Sequence, residues 1–180
     1  MLSLMKKRRS IRTFQDKKVE KEKINAIIRT ALLSPSSKNN NPWKFIVVED
    51  KEILAKLSHT KNVSQFLRKA PLGIVVLADP QQSDVWIEDA SIVTTIIILA
   101  AQKMDLGSCW IQVRERKHAD EKSAEEFVKE LLKIPENLRV LCMVAVGYPD
   151  EVKPEKEIDK RKLDDVFLNL FDNIMTIHQK

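Results

Sequence analysis

Glycine is nearly absent from this chain: 3 residues in 180. No GxGxxG or P-loop pattern occurs, so a bound phosphate must be held by side chains rather than by a glycine-rich loop. Cysteine is scarce as well. Cys109 and Cys142 lie far apart, form no CxxC, and read as two buried thiols in a reducing compartment. The three histidines, His59, His118 and His178, share no metal-ligand spacing and read as solvent-facing, so no metal site is expected. Aromatic residues make up only 6% of the chain, which argues against a nucleic-acid module that stacks bases. Apolar runs are short. The most apolar, 92–101, carries Thr94 and Thr95 and is too short to span a bilayer, so no membrane partner is expected. Charge interrupts the N-terminus before an apolar run can form, so no signal peptide is read and a cytoplasmic location is expected.

What is present suits a folded domain. Hydrophobic residues are 43% and charged residues 32%, enough for a core and unlike a disordered chain. The length fits one domain with a tail: 1–150 as the body, 151–180 as a C-terminal extension. The net charge of +5 suits anionic ligands, but the basic residues alternate with acidic ones along the chain and do not by themselves indicate nucleic acid.

Two polar segments carry the chemistry. Arg8-Arg9-Ser10-Ile11-Arg12-Thr13-Phe14 packs three guanidinium groups and a hydroxyl into five residues. Ser34-Pro35-Ser36-Ser37-Lys38-Asn39-Asn40-Asn41-Pro42-Trp43 is a run of hydroxyls and amides closed by Pro-Trp. Alone, the first reads as a solvated basic patch and the second as a helix-stopping turn. Together they offer forked positive charge for a phosphate and amide groups for a flat heterocycle. That pairing points to a mononucleotide cofactor.

Periodicity predicts helices over 4–9, 21–33, 52–57, 84–104, 120–133 and 163–177, and strands over 44–49, 72–78, 108–113 and 139–146. Strands separated by helices give an α/β or α+β fold with a mixed or antiparallel sheet. The 84–104 helix has an almost wholly apolar centre and no clear polar face, so it should be buried on several sides, with a second subunit as further cover. Residues 150–162 read as an extended, charged, proline-containing crossing segment. Trp43 and Trp110 read as packing residues, and Cys109 as a small buried hydrophobe.

In this order and spacing, the two polar segments resemble the nitroreductase family of flavin-dependent oxidoreductases. Leu106-Gly107-Ser108-Cys109-Trp110-Ile111, the 89–101 helix and Gly147-Tyr148-Pro149 support the resemblance. It implies a homodimer of α+β, nitroreductase-like fold, whose central, mainly antiparallel sheet is enclosed by helices, with one FMN in each of two interface sites. Arg8, Arg9 and Ser10 are similar to contacts to the FMN phosphate and ribityl chain, and Arg12 to the cation beside the N1/O2 edge of the ring. Pro35, Ser36, Ser37 and Asn39 resemble the loop that reaches the flavin from the partner subunit. Asn41 stands where the family commonly has Gln before Pro-Trp. Trp110, Ile111 and Gln112 resemble the strand end whose backbone faces the ring near N5. The family often completes the phosphate site with Arg-x-Pro-Leu. Here the segment is Lys160-Arg161-Lys162-Leu163, which puts Lys160 in the Arg position, or Arg161 if the register slips by one. The implied reaction carries hydride from NAD(P)H through FMN to a nitroaromatic or quinone, by a ping-pong scheme and without a side-chain acid or base. A flavin-storage protein and a reductive-dehalogenase-like flavin enzyme are the alternatives on the same fold.

Overall fold

A computed structural model describes residues 1–118, 122–159 and 163–177. Four strands, β1 (Trp43–Val48), β2 (Leu72–Ala78), β3 (Gly107–Gln112) and β4 (Arg139–Gly147), pair antiparallel throughout in the order β1-β2-β4-β3. On one face lie α2 (Lys21–Leu32) and α4 (Trp86–Lys103). The other face is covered by α3 (Lys51–Leu57), the 3-10 segment Asn62–Lys69 and α5 (Ala124–Leu132). A short α1 (Leu2–Lys7) runs beside α4.

The two covers explain why β2 is apolar without alternation. Leu72, Ile74, Val76 and Ala78 enter one core, while Val75 and Leu77 enter the other. A strand buried on both faces has no polar side to display. The expected strands all form within a residue of the predicted limits. On α4, Ala90, Val93, Ile97 and Ala101 are fully buried against the sheet. Ile92 is 42% exposed. Ile96 and Leu99 are half-buried and line a groove with Leu4 of α1 and Ala26 and Thr30 of α2.

Glycine has an unusual use here. All three glycines sit in the sheet, and none among them has a positive φ. Gly107 is where Ile11 lies on the backbone, with an added Cβ falling 2.8 Å from Ile11 side-chain carbons. Left-handed turns are instead made by Lys38, Asn39, Asn41, Asp105, Glu115, Lys133 and Asn169. Three of these, Lys38, Asn39 and Asn41, lie in the Ser34–Trp43 segment, where backbone strain commonly has a functional reason.

Two expectations are corrected. Residues 163–177 form no helix. Phe167 pairs with Ile174 in an antiparallel bridge, and Phe167 stacks on Phe171 with centroids 4.5 Å apart. Asn169 adopts the left-handed conformation and Asn173 Nδ2 donates to the Leu168 carbonyl, so local side-chain and turn chemistry wins over helical periodicity. His118 is not solvent-facing. It is half-buried, stacked 4.1 Å from the Phe127 ring, with Nδ1 donating to the Thr60 carbonyl at 3.1 Å. His59 is exposed as expected, and His178 lies outside the described residues.

Candidate functional site

The N-terminal basic segment is laid along the free edge of β3. Ser10 makes a parallel bridge to Ser108, and Ile11 N–H donates to the Ser108 carbonyl at 3.0 Å. Residues 150–156 clasp the segment from outside. Glu151 Oε1 accepts from the backbone N–H of Arg12 at 2.5 Å and of Thr13 at 3.1 Å. Lys153 pairs with Glu151 at 3.1 Å and donates to the Ser10 carbonyl at 2.6 Å. Arg9 donates to the Pro154 carbonyl, and Lys156 N–H to the Lys6 carbonyl. The Arg12 N–H bond is the chief reason that the Glu151 carboxyl titrates below the ordinary glutamate range.

The clasp uses main chain and one guanidinium, which leaves other groups free. Among the described residues, Arg8 has no side-chain partner, and Arg12 has only the face of Phe66, 5.8 Å from the ring centroid. Burial pushes the Cys109 thiol upward, against the opposing pull of Arg12, Lys153 and Arg8 nearby. Cys142 is pushed up to about 12 by burial, with a hydrogen bond to Thr94 opposing. Both thiols are therefore packing residues, as their scarcity suggested.

The Ser-Asn loop is built by Asp89, which sequence reasoning left without a role. Asp89 is 2% exposed and accepts from Ser37 N–H at 2.8 Å and from the Ser83 hydroxyl at 2.8 Å. Asn41 N–H donates to Ser36 Oγ at 2.9 Å, and Asn41 Nδ2 to the Asn39 carbonyl at 2.9 Å. These bonds offset the left-handed backbone of Lys38, Asn39 and Asn41. At the root of the loop, Ser34 Oγ is the one buried side-chain oxygen without a partner among the described residues. Asp89 is an ordinary acid in the first turn of α4, and nothing in the sequence marks its distant partners Ser37 and Ser83.

The third predicted region, Trp110 to Gln112, ends β3. Trp110 Nε1 donates to Gln112 Oε1 at 2.9 Å, and Gln112 Nε2 to the Arg114 carbonyl at 3.0 Å. The chain then turns tightly, with Arg116 N–H bonded to the Val113 carbonyl and Glu115 left-handed. A bulge in the neighbouring strand sets this turn. The register slips between Val76 and Leu77, and the Leu141 carbonyl then receives both Val113 N–H and Arg114 N–H, at 3.1 and 3.0 Å.

Within one protomer the structure brings together Arg8, Ser10, Arg12, Trp110, Ile111 and Gln112, but not Pro35, Ser36, Ser37, Asn39 and Asn41. The loop feeds β1 at one edge of the sheet, while Ser10 lies on β3 at the other. Four strand spacings separate them, about 19 Å. They also stand at opposite ends of the strands, because Trp43 pairs with Ala78 and Ser108 with Val146. Lys160 and Arg161 lie outside the described residues. The donor set fits FMN: free guanidinium groups and the Ser10 hydroxyl for a phosphate, and an open strand edge for a ring. Among the described residues no cluster could hold a metal ion, and no helix is long and apolar enough to cross a membrane.

The chain matches the family described as Nitroreductase family over residues 5–62 and 55–148. It is 40% identical over 164 residues to a provisionally named NADH dehydrogenase/NAD(P)H nitroreductase of Archaeoglobus fulgidus, covering 89% of this chain and 91% of that protein. Among solved structures, an FMN-dependent nitroreductase from Clostridium difficile R20291 superimposes with a TM-score of 0.89 at 47% identity, covering 95% of this chain and all of the other. An iodotyrosine deiodinase of Thermotoga neapolitana is more distant, 23% identical over 184 residues, 86% of this chain and 91% of that protein. With nearly its whole length matched, this chain belongs to the nitroreductase family.

Proposed function

We propose that the protein is an FMN-dependent oxidoreductase moving two electrons from NAD(P)H to a small acceptor such as a nitroaromatic or a quinone. The observation that carries this reading is the pair of unpartnered guanidinium groups, Arg8 and Arg12, held beside the free edge of β3. Bound FMN supplies the hydride-accepting chemistry, and the protein binds and orients it. Arg8 and the Ser10 hydroxyl hold the phosphate, with the N–H groups of Arg9 that Pro154 leaves free. Arg12, fixed over Phe66, places a cation at the ring edge where negative charge develops on reduction. The Trp110–Gln112 edge and the turn after it offer backbone groups to the other side of the ring. Lys160 or Arg161 completes the phosphate site.

The loop of Pro35, Ser36, Ser37, Asn39 and Asn41 cannot reach that ring from its own protomer. A homodimer supplies it from the partner, and the half-exposed apolar groove between α1, α2 and α4 is the surface such a dimer covers. Residues 163–177 leave Leu170, Phe171 and Ile174 exposed, and these extend over the partner as the crossing C-terminal arm. Nucleic acid is not expected as a partner, and the expected location is cytoplasmic.

The balanced reaction for a nitro compound is R–NO2 + NAD(P)H + H+ giving R–NO + NAD(P)+ + H2O. No side chain is assigned as acid or base. Purified protein should be yellow and lose that colour with NADH or NADPH under anaerobic conditions. Steady-state rates should give parallel double-reciprocal lines, because donor and acceptor use one pocket in turn. Intersecting lines would overturn the shared pocket. Flavin that neither nicotinamide reduces would point to a storage protein instead.

A further inference from the structure

Gln112 offers the ring its backbone, yet its side chain is held at both ends. Oε1 accepts from Trp110 Nε1 at 2.9 Å, and Nε2 donates to the Arg114 carbonyl at 3.0 Å. Residues 110 and 112 share one face of β3, so the first bond runs along the strand and the second crosses into the turn. Neither anchor is loose. Trp110 packs on the core that α2 and α4 share with the sheet. Arg114 N–H is bonded to the Leu141 carbonyl at 3.0 Å, and its guanidinium lies 5.9 Å from the centroid of the Trp86 ring. Arg139 lies 5.7 Å from the same centroid and donates from Nε and Nη2 to Glu125, each at 2.8 Å.

Strand alternation decides which peptide groups of β3 are left over. Val113 N–H donates to the Leu141 carbonyl, so the peptide groups of Val113, Ile111 and Cys109 are spent on β4. Those of Ser108, Trp110 and Gln112 point away from it. The basic segment takes the Ser108 carbonyl through Ile11 N–H, then departs to Glu151 at Arg12. Gln112 N–H therefore points out at the open edge, without a partner among the described residues. An unpaired N–H at a strand end is free to swing unless something else holds it. We infer that the Gln112 side-chain amide is a positioning group: by tying Trp110 to the Arg114 carbonyl, it fixes the aim of the Gln112 N–H toward the flavin. A donor set in advance acts on the bound ring without a cost of reorganisation. This rests on the FMN-dependent oxidoreductase reading and adds how the chain keeps the ring-facing edge rigid.

The test follows hydrogen exchange of the backbone amide at position 112 by NMR, without FMN and with saturating FMN. In the wild type, FMN should slow that exchange about tenfold, the yield of one new hydrogen bond. Gln112→Leu breaks both ends of the bracket. It should still bind FMN but gain little of that protection, and its limiting rate of anaerobic flavin reduction by NAD(P)H should fall about tenfold. Trp110→Phe keeps an aromatic ring and removes only the Nε1 donor, so it should lose less of both. Trp110→Phe/Gln112→Leu should be no worse than Gln112→Leu, because the two residues act through one bracket. Thermal melting reports whether each variant folds. If Gln112→Leu does not fold, Trp110→Phe decides alone, and wild-type protection and rate in that variant would overturn the inference. So would a wild-type amide that FMN leaves unprotected, or a folded Gln112→Leu variant that matches the wild type in both readouts. Weakened FMN binding with normal reduction of the flavin that does bind would assign Gln112 to affinity and overturn it too. Wild-type protein that holds no flavin would sink the oxidoreductase reading and the inference together, an outcome seen before any variant is compared.

Discussion

Asp89 and Gly107 each hold a functional segment in place without belonging to it. Asp89→Ala removes the acceptor for Ser37 N–H and the Ser83 hydroxyl. The expected loss is about 1–3 kcal/mol of stability, read as a lower denaturant midpoint, with weaker FMN binding alongside. Asp89→Asn keeps one acceptor oxygen and should lose less. An unchanged midpoint for Asp89→Ala would show that the loop holds itself. At Gly107 a methyl group would press on Ile11, the residue that seats the basic segment. Gly107→Ala should cost about 1–3 kcal/mol through overpacking. Ile11→Ala in the same chain should recover part of that cost, so the two changes should be non-additive in a double-mutant cycle. Strict additivity would show that the contact is not the source of strain. Sequence marked the candidate residues at this scale, because Arg8, Ser10, Arg12 and the Asn-rich loop are unusual in composition. It gave no role to Asp89, since a single acid at the start of a helix is commonplace and its partners, Ser37 and Ser83, are distant in the chain.

At the scale of elements, the 150–156 clasp is the most sensitive to conditions. Glu151 has a folded pKa held below its unfolded value. Its contribution is therefore fully present above the unfolded carboxylate pKa, about 4.3, and is lost as pH falls through the depressed folded value. The basic segment should loosen in acid before the sheet melts. Hydrogen exchange should show early loss of protection at Arg12 and Thr13, and Glu151→Ala, which removes the acceptor oxygen, should show that loss already at neutral pH. Protection that is equal in Glu151→Ala and wild type at pH 7 would contradict the assignment. Strands β1, β2 and β4 were readable from their dense apolar runs, and β3 from the Gly107 that follows the long α4 helix. The 163–177 segment misled because its apolar spacing is helical, yet Asn169 and Asn173 support turns and its apolar side chains remain exposed on this protomer. The 3-10 segment Asn62–Lys69 is short and polar on average, and with it Phe66, whose ring faces Arg12, escaped notice as a neighbour of the site.

For the whole molecule, the four-stranded sheet keeps apart the two motifs that the sequence placed side by side. Strand order was not legible in the sequence, and it is strand order that puts the loop of Ser36, Ser37 and Asn39 at one edge and Ser10 and Arg12 at the other. A site using both must be built from two copies related by symmetry. The most direct measurement mixes two defective proteins. Arg8→Ala/Arg12→Ala spoils the phosphate and ring-edge contacts, each deletion removing roughly 2–5 kcal/mol. Ser37→Ala/Asn39→Ala spoils only the loop. Unfolded together and refolded, the pair should form hybrid dimers in which one of two sites is whole, restoring FMN binding to about a quarter of all sites. Flavin fluorescence titration of the mixture against each variant alone reads the result. Recovery near that level places the cofactor between subunits, while no recovery, or full FMN binding by a monomer in sedimentation, would contradict the account.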